Sequence, residues 1–204
     1  MLLIGLTGSI GMGKSTAAGR FRANGIAVID ADAEVHKLYR GAAVAPIEAA
    51  FSGTTGPDGV DRAKLAAHLL KFPADFKRLE AIVHPMVHAA EKARLQTEQE
   101  RGAAMAVLEI PLLFEGGGEK RVDVTVVVSA PADMQRARVL ARPGMTVEKL
   151  EQILSRQVPD AEKRKRADFV VDTGGTIAET EAQIDKIVAS LRGREGTAYG
   201  RYWT

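Results

Sequence analysis

Residues Gly8 to Ser15 read Gly-Ser-Ile-Gly-Met-Gly-Lys-Ser, and this octet constrains the fold more than any other stretch of the chain. It matches the pattern G-x-x-x-x-G-K-[ST] at every fixed position: Gly8, Gly13, Lys14 and Ser15. The pattern has meaning only between a buried strand and the start of a helix. Leu2, Leu3, Ile4 and Leu6 supply the short apolar run of a buried parallel strand. Ser15 to Arg22 is rich in Ala and free of Pro, as a helix N-terminus requires. Backbone N–H groups of Ile10 to Ser15 can converge on one anion only if the chain curls tightly. Glycine permits that curl because it tolerates positive φ and lets backbone approach a ligand. The following helix adds unpaired N–H groups and the positive end of its dipole. Gly8, Gly11, Met12, Gly13, Lys14, Ser15 and Thr16 are therefore expected to bind a nucleoside triphosphate. Lys14 would reach the β- and γ-phosphates, and the Ser15 hydroxyl would hold Mg²⁺.

At 204 residues the chain has room for one α/β domain with an insertion and a sizeable core. Its net charge of +2 gives no global electrostatic case for a nucleic-acid partner. The absence of cysteine excludes disulfides, thiolate metal sites and cysteine nucleophiles, and it fits a reducing compartment. The N-terminal apolar run is too short for a signal peptide, has no basic residues before it, and leads into the glycine loop. No run approaches membrane-spanning length. The expectation is a cytoplasmic protein without a membrane partner.

Five apolar segments of β type stand out: 2–7, 26–30, 106–111, 122–129 and 169–172. Most are continuous rather than alternating, so the architecture expected is a three-layer α/β fold around a five-stranded parallel sheet. Helical patterns at 15–23, 133–141 and 177–191 separate or follow these strands. In the last, Ile184, Ile187, Val188 and Leu191 form a core-facing stripe. About 75 residues between the second and third strands show no strand signal and read as a helical insertion, with helices near 33–39, 44–51, 61–70 and 73–99. Ser52–Asp58 reads as a turn. So long an insertion exceeds what a crossover needs. A second excursion, 131–166, carries nine Arg and Lys residues, a Pro143-Gly144 break, and Thr146 as a helix N-cap. Its basic run Glu162 to Arg166 is expected to be a solvated helix face, with a phosphate-contacting patch as the alternative. The sequence leaves open whether the tail 193–204 docks.

A glycine loop of this kind serves several enzyme classes. A GTPase would need Asn-Lys-x-Asp, and the only Asn is Asn24, followed by Gly25. Small size and two helical excursions favour a kinase acting on a small molecule. Seven ordered segments then resemble the dephospho-CoA kinase family: Ile4 to Ser15, Asp30-Ala31-Asp32, Val83-His84-Pro85, Pro111 to Glu115, Arg138 to Arg142, Gln152 to Gln157, and Ala167 to Asp172. The resemblance spans roughly residues 2–192. It implies a P-loop kinase core with a helical insertion and a helical lid. It also implies ATP and Mg²⁺ as cofactors, and transfer of phosphate to the ribose 3′-hydroxyl of dephospho-CoA. The alternatives are another P-loop kinase of a nucleotide or small metabolite, or a nucleotide-binding module without catalysis.

By the same resemblance, residues 1–32, 105–130 and 167–204 form the nucleotide-binding core, 33–104 the acceptor-binding subdomain, and 131–166 the Arg-rich lid. Asp32 lies just past a strand's C-terminal end, where open α/β sheets place ligands. It would orient the acceptor hydroxyl and take its proton; a helix N-cap is the structural alternative, and the two are compatible. Asp30 would hold the loop or Mg²⁺-bound water. His84 would contact substrate or position its helix. Glu109 stands where the family more often has Asp, and with Ser15 it forms the expected metal set. Glu115 reads equally as a site residue or a surface residue. Arg138 and Arg142, four apart on one helix face, would hold phosphate oxygens alongside Lys14. Thr173-Gly174-Gly175 resembles the family's adenine-side loop, where recognition would rest on backbone groups.

Overall fold

A computed structural model describes all of residues 1–204. The chain opens with β1 (Leu2–Thr7), α1 (Lys14–Ala23) and β2 (Ala27–Asp30). The insertion follows as α2 (Ala31–Leu38), α3 (Val44–Ala50), β3 (Thr55–Gly56), β4 (Gly59–Val60), α4 (Arg62–Lys71) and α5 (Asp75–Glu100). The chain then forms β5 (Met105–Glu109), a 3₁₀ turn (Gly118–Arg121), β6 (Val124–Ser129), α6 (Ala132–Leu140), α7 (Val147–Leu154) and α8 (Asp160–Arg166). It ends with β7 (Phe169–Asp172), α9 (Ile177–Leu191) and α10 (Ala198–Tyr202).

Five strands form one parallel sheet in the order β2-β5-β1-β6-β7. Alternate residues of the central strands enter two separate cores. Leu2, Ile4 and Leu6 pack with Val124, Val126 and Val128 against Phe21 of α1 and Ile184, Val188 and Leu191 of α9. Leu3, Ala106 and Leu108 pack on the other side with Ile29, Leu95 and Trp203. Both sheet faces are covered, which is why these strands are apolar throughout rather than every second residue. Burying a side chain such as Phe21 contributes about 1.5–3 kcal/mol. Thr146 caps α7 as expected by accepting the Lys149 N–H, and Thr176 with Glu179 closes a reciprocal cap at α9.

The chain divides into two compact units, Met1–Ile29 with Leu95–Thr204, and Asp30–Arg94. The second unit has its own core of Ala43, Ile47, Phe51, Leu65, Leu69 and Val83. It is not wholly helical. Thr55-Gly56 pairs antiparallel with Gly59-Val60 around Pro57-Asp58, inside and just beyond the segment expected to be a plain turn. Two-residue strands leave no periodic pattern to read. The main chain fixes this hairpin: Val60 N–H donates to the Tyr39 carbonyl and Asp61 N–H to that of Thr54, both at 2.8 Å.

Two other segments differ from expectation or resolve it. The tail is docked in the first unit: Trp203 is 2% exposed and its Nε1 donates to the Arg121 carbonyl at 2.9 Å. Asp123 accepts the N–H groups of Leu3, Thr197 and Ala198, stapling the tail to β1. The basic run is not a uniformly solvated face either. Arg164 and Lys165 are exposed, but Lys163 is wholly buried and lies 2.9 Å from Glu115. Arg166 pairs with Glu119 at 2.6 Å and lies over the Phe114 ring. No helix is long and apolar enough to cross a membrane.

Candidate active site

The loop between β1 and α1 is built around a short turn in which Met12 N–H donates to the Ser9 carbonyl at 3.1 Å. Gly11 and Gly13 adopt φ of +78° and +82°, a region costly for other residues. A Cβ on Gly8 would lie 2.3 Å from Val128, and one on Gly11 would lie 2.5 Å from Val139. These glycines are required by close packing of the loop on β6 and α6 as well as by its curl. The N–H groups of Gly11, Gly13, Lys14 and Ser15 have no protein partner, and no side chain caps α1. Four convergent donors at a helix N-terminus make an anion cradle.

Charged groups surround this cradle. Lys14 Nζ donates to Glu109 Oε1 at 2.5 Å, and Arg22 lies 3.7 Å from the other Glu109 oxygen. Glu109 is 4% exposed, and these two cations supply the counter-charge beside its carboxylate. The Ser15 side chain is exposed and its hydroxyl is held by no protein group. No three His, Asp or Glu side chains converge as a metal cage. Mg²⁺ held against substrate phosphates needs only one or two protein oxygens, so Ser15 with the nearby Glu109 fits that ion. Thr16 lies in the first turn of α1, its N–H donating to the Gly13 carbonyl. Met12 is anchored from both ends: its carbonyl accepts the Thr173 hydroxyl at 2.9 Å, and its sulfur receives the Ala130 N–H.

The two arginines differ. Arg138 is half-buried and donates at 2.7 Å to the carbonyl of Thr173, the residue whose hydroxyl holds Met12. Arg142, one turn on, is exposed and unpaired. Glu115 is held inside the protein. Burial pushes its carboxyl up, but the Lys163 ammonium and the Val158 N–H more than offset this and hold it below the usual range. It ties the strand exit to the segment entering α8.

Asp30, Asp32 and His84 belong to the second unit. Asp30, not Asp32, is the N-cap of α2: its Oδ1 accepts the N–H groups of Asp32 and Ala33 at 2.9 and 3.2 Å. The helix begins two residues earlier than the sequence reading places it. Asp32 therefore sits in the first helical turn, exposed, with its carboxylate unpartnered. His84 is also exposed, on α5 next to the internal Pro85. Gln135 and Gln157, which both bond to Ile10, received no role from sequence. Gln157 stands in one of the resembling segments, but glutamine carries no charge that would mark it.

Residues 2–179 match the family model for dephospho-CoA kinase. The dephospho-CoA kinase of Mesorhizobium japonicum is 55% identical over 197 residues, covering 97% of this chain and all of the relative. A Thermus thermophilus protein, TT1252, superposes with a TM-score of 0.80 at 37% identity, over 94% of this chain and 98% of that one. The dephospho-CoA kinase of Campylobacter jejuni superposes with a TM-score of 0.70 at 25% identity, over 93% of this chain and 96% of that one. With a parallel sheet that carries the glycine loop and a family match over most of its length, the chain belongs to the dephospho-CoA kinase family.

Proposed function

We infer that this protein is an ATP-dependent dephospho-CoA kinase, transferring the γ-phosphoryl group to the ribose 3′-hydroxyl to give coenzyme A and ADP. The observation that carries this reading is the family match across residues 2–179. Residues 33–104 would take the acceptor and 131–166 would act as the lid. The protein would work in the cytoplasm on a small-molecule substrate.

The donor side follows from the cradle. Free N–H groups of Gly11, Gly13, Lys14 and Ser15, framed by Gly8, Met12 and Thr16, would receive the phosphates. Lys14, now paired with Glu109, would exchange that carboxylate for the β- and γ-phosphate oxygens, one charge-assisted contact for another. Ser15 and Glu109 would hold Mg²⁺, which supplies positive charge against the triphosphate. Arg142, unpaired, and Arg138, tethered to Thr173, would bear on the equatorial oxygens as charge spreads onto them.

On the acceptor side, Asp32 would accept the proton of the 3′-hydroxyl as its oxygen bonds to the γ-phosphorus and the bond to the β-phosphate oxygen breaks. Its unpartnered carboxylate supports this, because an acid already engaged as a cap would lose that engagement on taking the proton. His84 would contact the acceptor. Asp32→Asn should keep ATP affinity within about twofold and lower kcat by at least ~10²-fold. Calorimetric ATP titration beside a coupled ADP assay checks this. An unchanged kcat would remove Asp32 from the base role.

A further inference from the structure

Both backbone polar groups of Ile10 are held by glutamine side chains from outside the loop. Gln135 Nε2 donates to the Ile10 carbonyl at 2.8 Å, and the Ile10 N–H donates to Gln157 Oε1 at 3.3 Å. Peptide units are planar and trans, so fixing one polar group aims the other in the opposite direction. Gln157 therefore orients the Ser9–Ile10 unit, whose carbonyl accepts Met12 N–H and closes the turn. Gln135 orients the Ile10–Gly11 unit, whose N–H is the first of the four free donors. Two successive planes of the cradle are thus set by residues of the Arg-rich excursion.

Gln157 is itself firmly placed. The next residue, Val158, donates its N–H to Glu115 at 2.8 Å, and Glu115 also pairs with wholly buried Lys163. Two residues further, Asp160 accepts the Ser129 hydroxyl at 2.7 Å. Gln135 is 7% exposed, with Val139 one turn along packed beside Gly11. A carboxamide oxygen accepts an N–H much as a carboxylate does but carries no charge. At the rim of an anion cradle that distinction matters.

We propose that Gln157 and Gln135 are positioning residues that pre-organise the loop for the triphosphate, and that Gln157 must be neutral because it borders the phosphates. This rests on the kinase reading above. Gln157→Met deletes the acceptor at similar size, and Gln157→Glu keeps the acceptor but adds charge. ATP binding is measured by calorimetry, with KM for dephospho-CoA and melting temperature recorded for each variant.

The Met variant should weaken ATP about tenfold, the equivalent of one hydrogen bond, with KM for dephospho-CoA within about twofold. The Glu variant should weaken ATP by more than about tenfold at pH 8. Its ratio to wild type should narrow as pH falls toward 5 and the new carboxyl takes a proton. A merely structural role would lower the melting temperature of both variants and leave that ratio flat with pH. A flat ratio, or ATP affinity within twofold of wild type in the Met variant, overturns the proposal. Failure of the wild-type protein to bind ATP would instead overturn the kinase reading beneath it.

Discussion

Asp30 commits one carboxylate oxygen to the N–H groups of Asp32 and Ala33, which starts α2 and leaves the Asp32 carboxylate in solvent. The sequence reading offers Asp32 as the cap and the structure uses Asp30, the last residue of β2, because Asp serves equally well at either position. Asp185 provides a residue-scale test of a different kind. Arg20 and Asn24 both donate to it and hold its carboxyl down at about 2. An unfolded Asp titrates near ~3.9, so the folded state binds its proton less readily. The stabilisation is thus present above about pH 4 and is lost as pH falls toward about 2. Asp185→Asn should lower the melting temperature at pH 6, and the gap to wild type should close between about pH 4 and 2. A gap that stays constant through that range would show that the α1–α9 contact does not depend on this charge.

At the scale of elements, α8 carries four consecutive cations, of which only Lys163 is directed inward. A seven-residue helix has too few turns for a periodic pattern, so the sequence shows a charge run and hides the buried member. Lys163→Ala should destabilise the protein by up to about 3 kcal/mol, because the half-buried Glu115 would be left without its cation. Pairing Lys163→Met with Glu115→Gln should restore most of that loss, as both charges then disappear together. Urea unfolding of the single and double variants measures this; equal losses in both would mean that the pair is not the source. The docked tail was closed to sequence reading for a related reason. Trp203 belongs to no repeat, and its pocket is assembled from Leu3, Ala106 and Leu108, about a hundred or more residues away.

For the whole molecule, the central strands were legible because burial on both sheet faces makes them apolar at most positions, and the long helices because their stripes persist over several turns. The β3-β4 hairpin was not legible, because each strand is two residues long and one of the two is glycine, too little for a periodic pattern. In the candidate site, the residues proposed to work through charge or a bound ion were legible: Lys14, Ser15, Asp32, Arg138 and Arg142. Gln135 and Gln157 hold Ile10 through neutral hydrogen bonds, which leave no mark in composition or spacing. The donor-side residues all fall in the first compact unit, and Asp32 and His84 in the second. We propose that these two sets serve one transfer reaction. Phosphorus NMR of the protein with ATP, Mg²⁺ and dephospho-CoA tests it most directly. The wild-type protein should form a new phosphomonoester on the ribose 3′-carbon in step with ADP, and Asp32→Asn should not. ADP released without that monoester, or no transfer to dephospho-CoA by the wild-type protein, would contradict it.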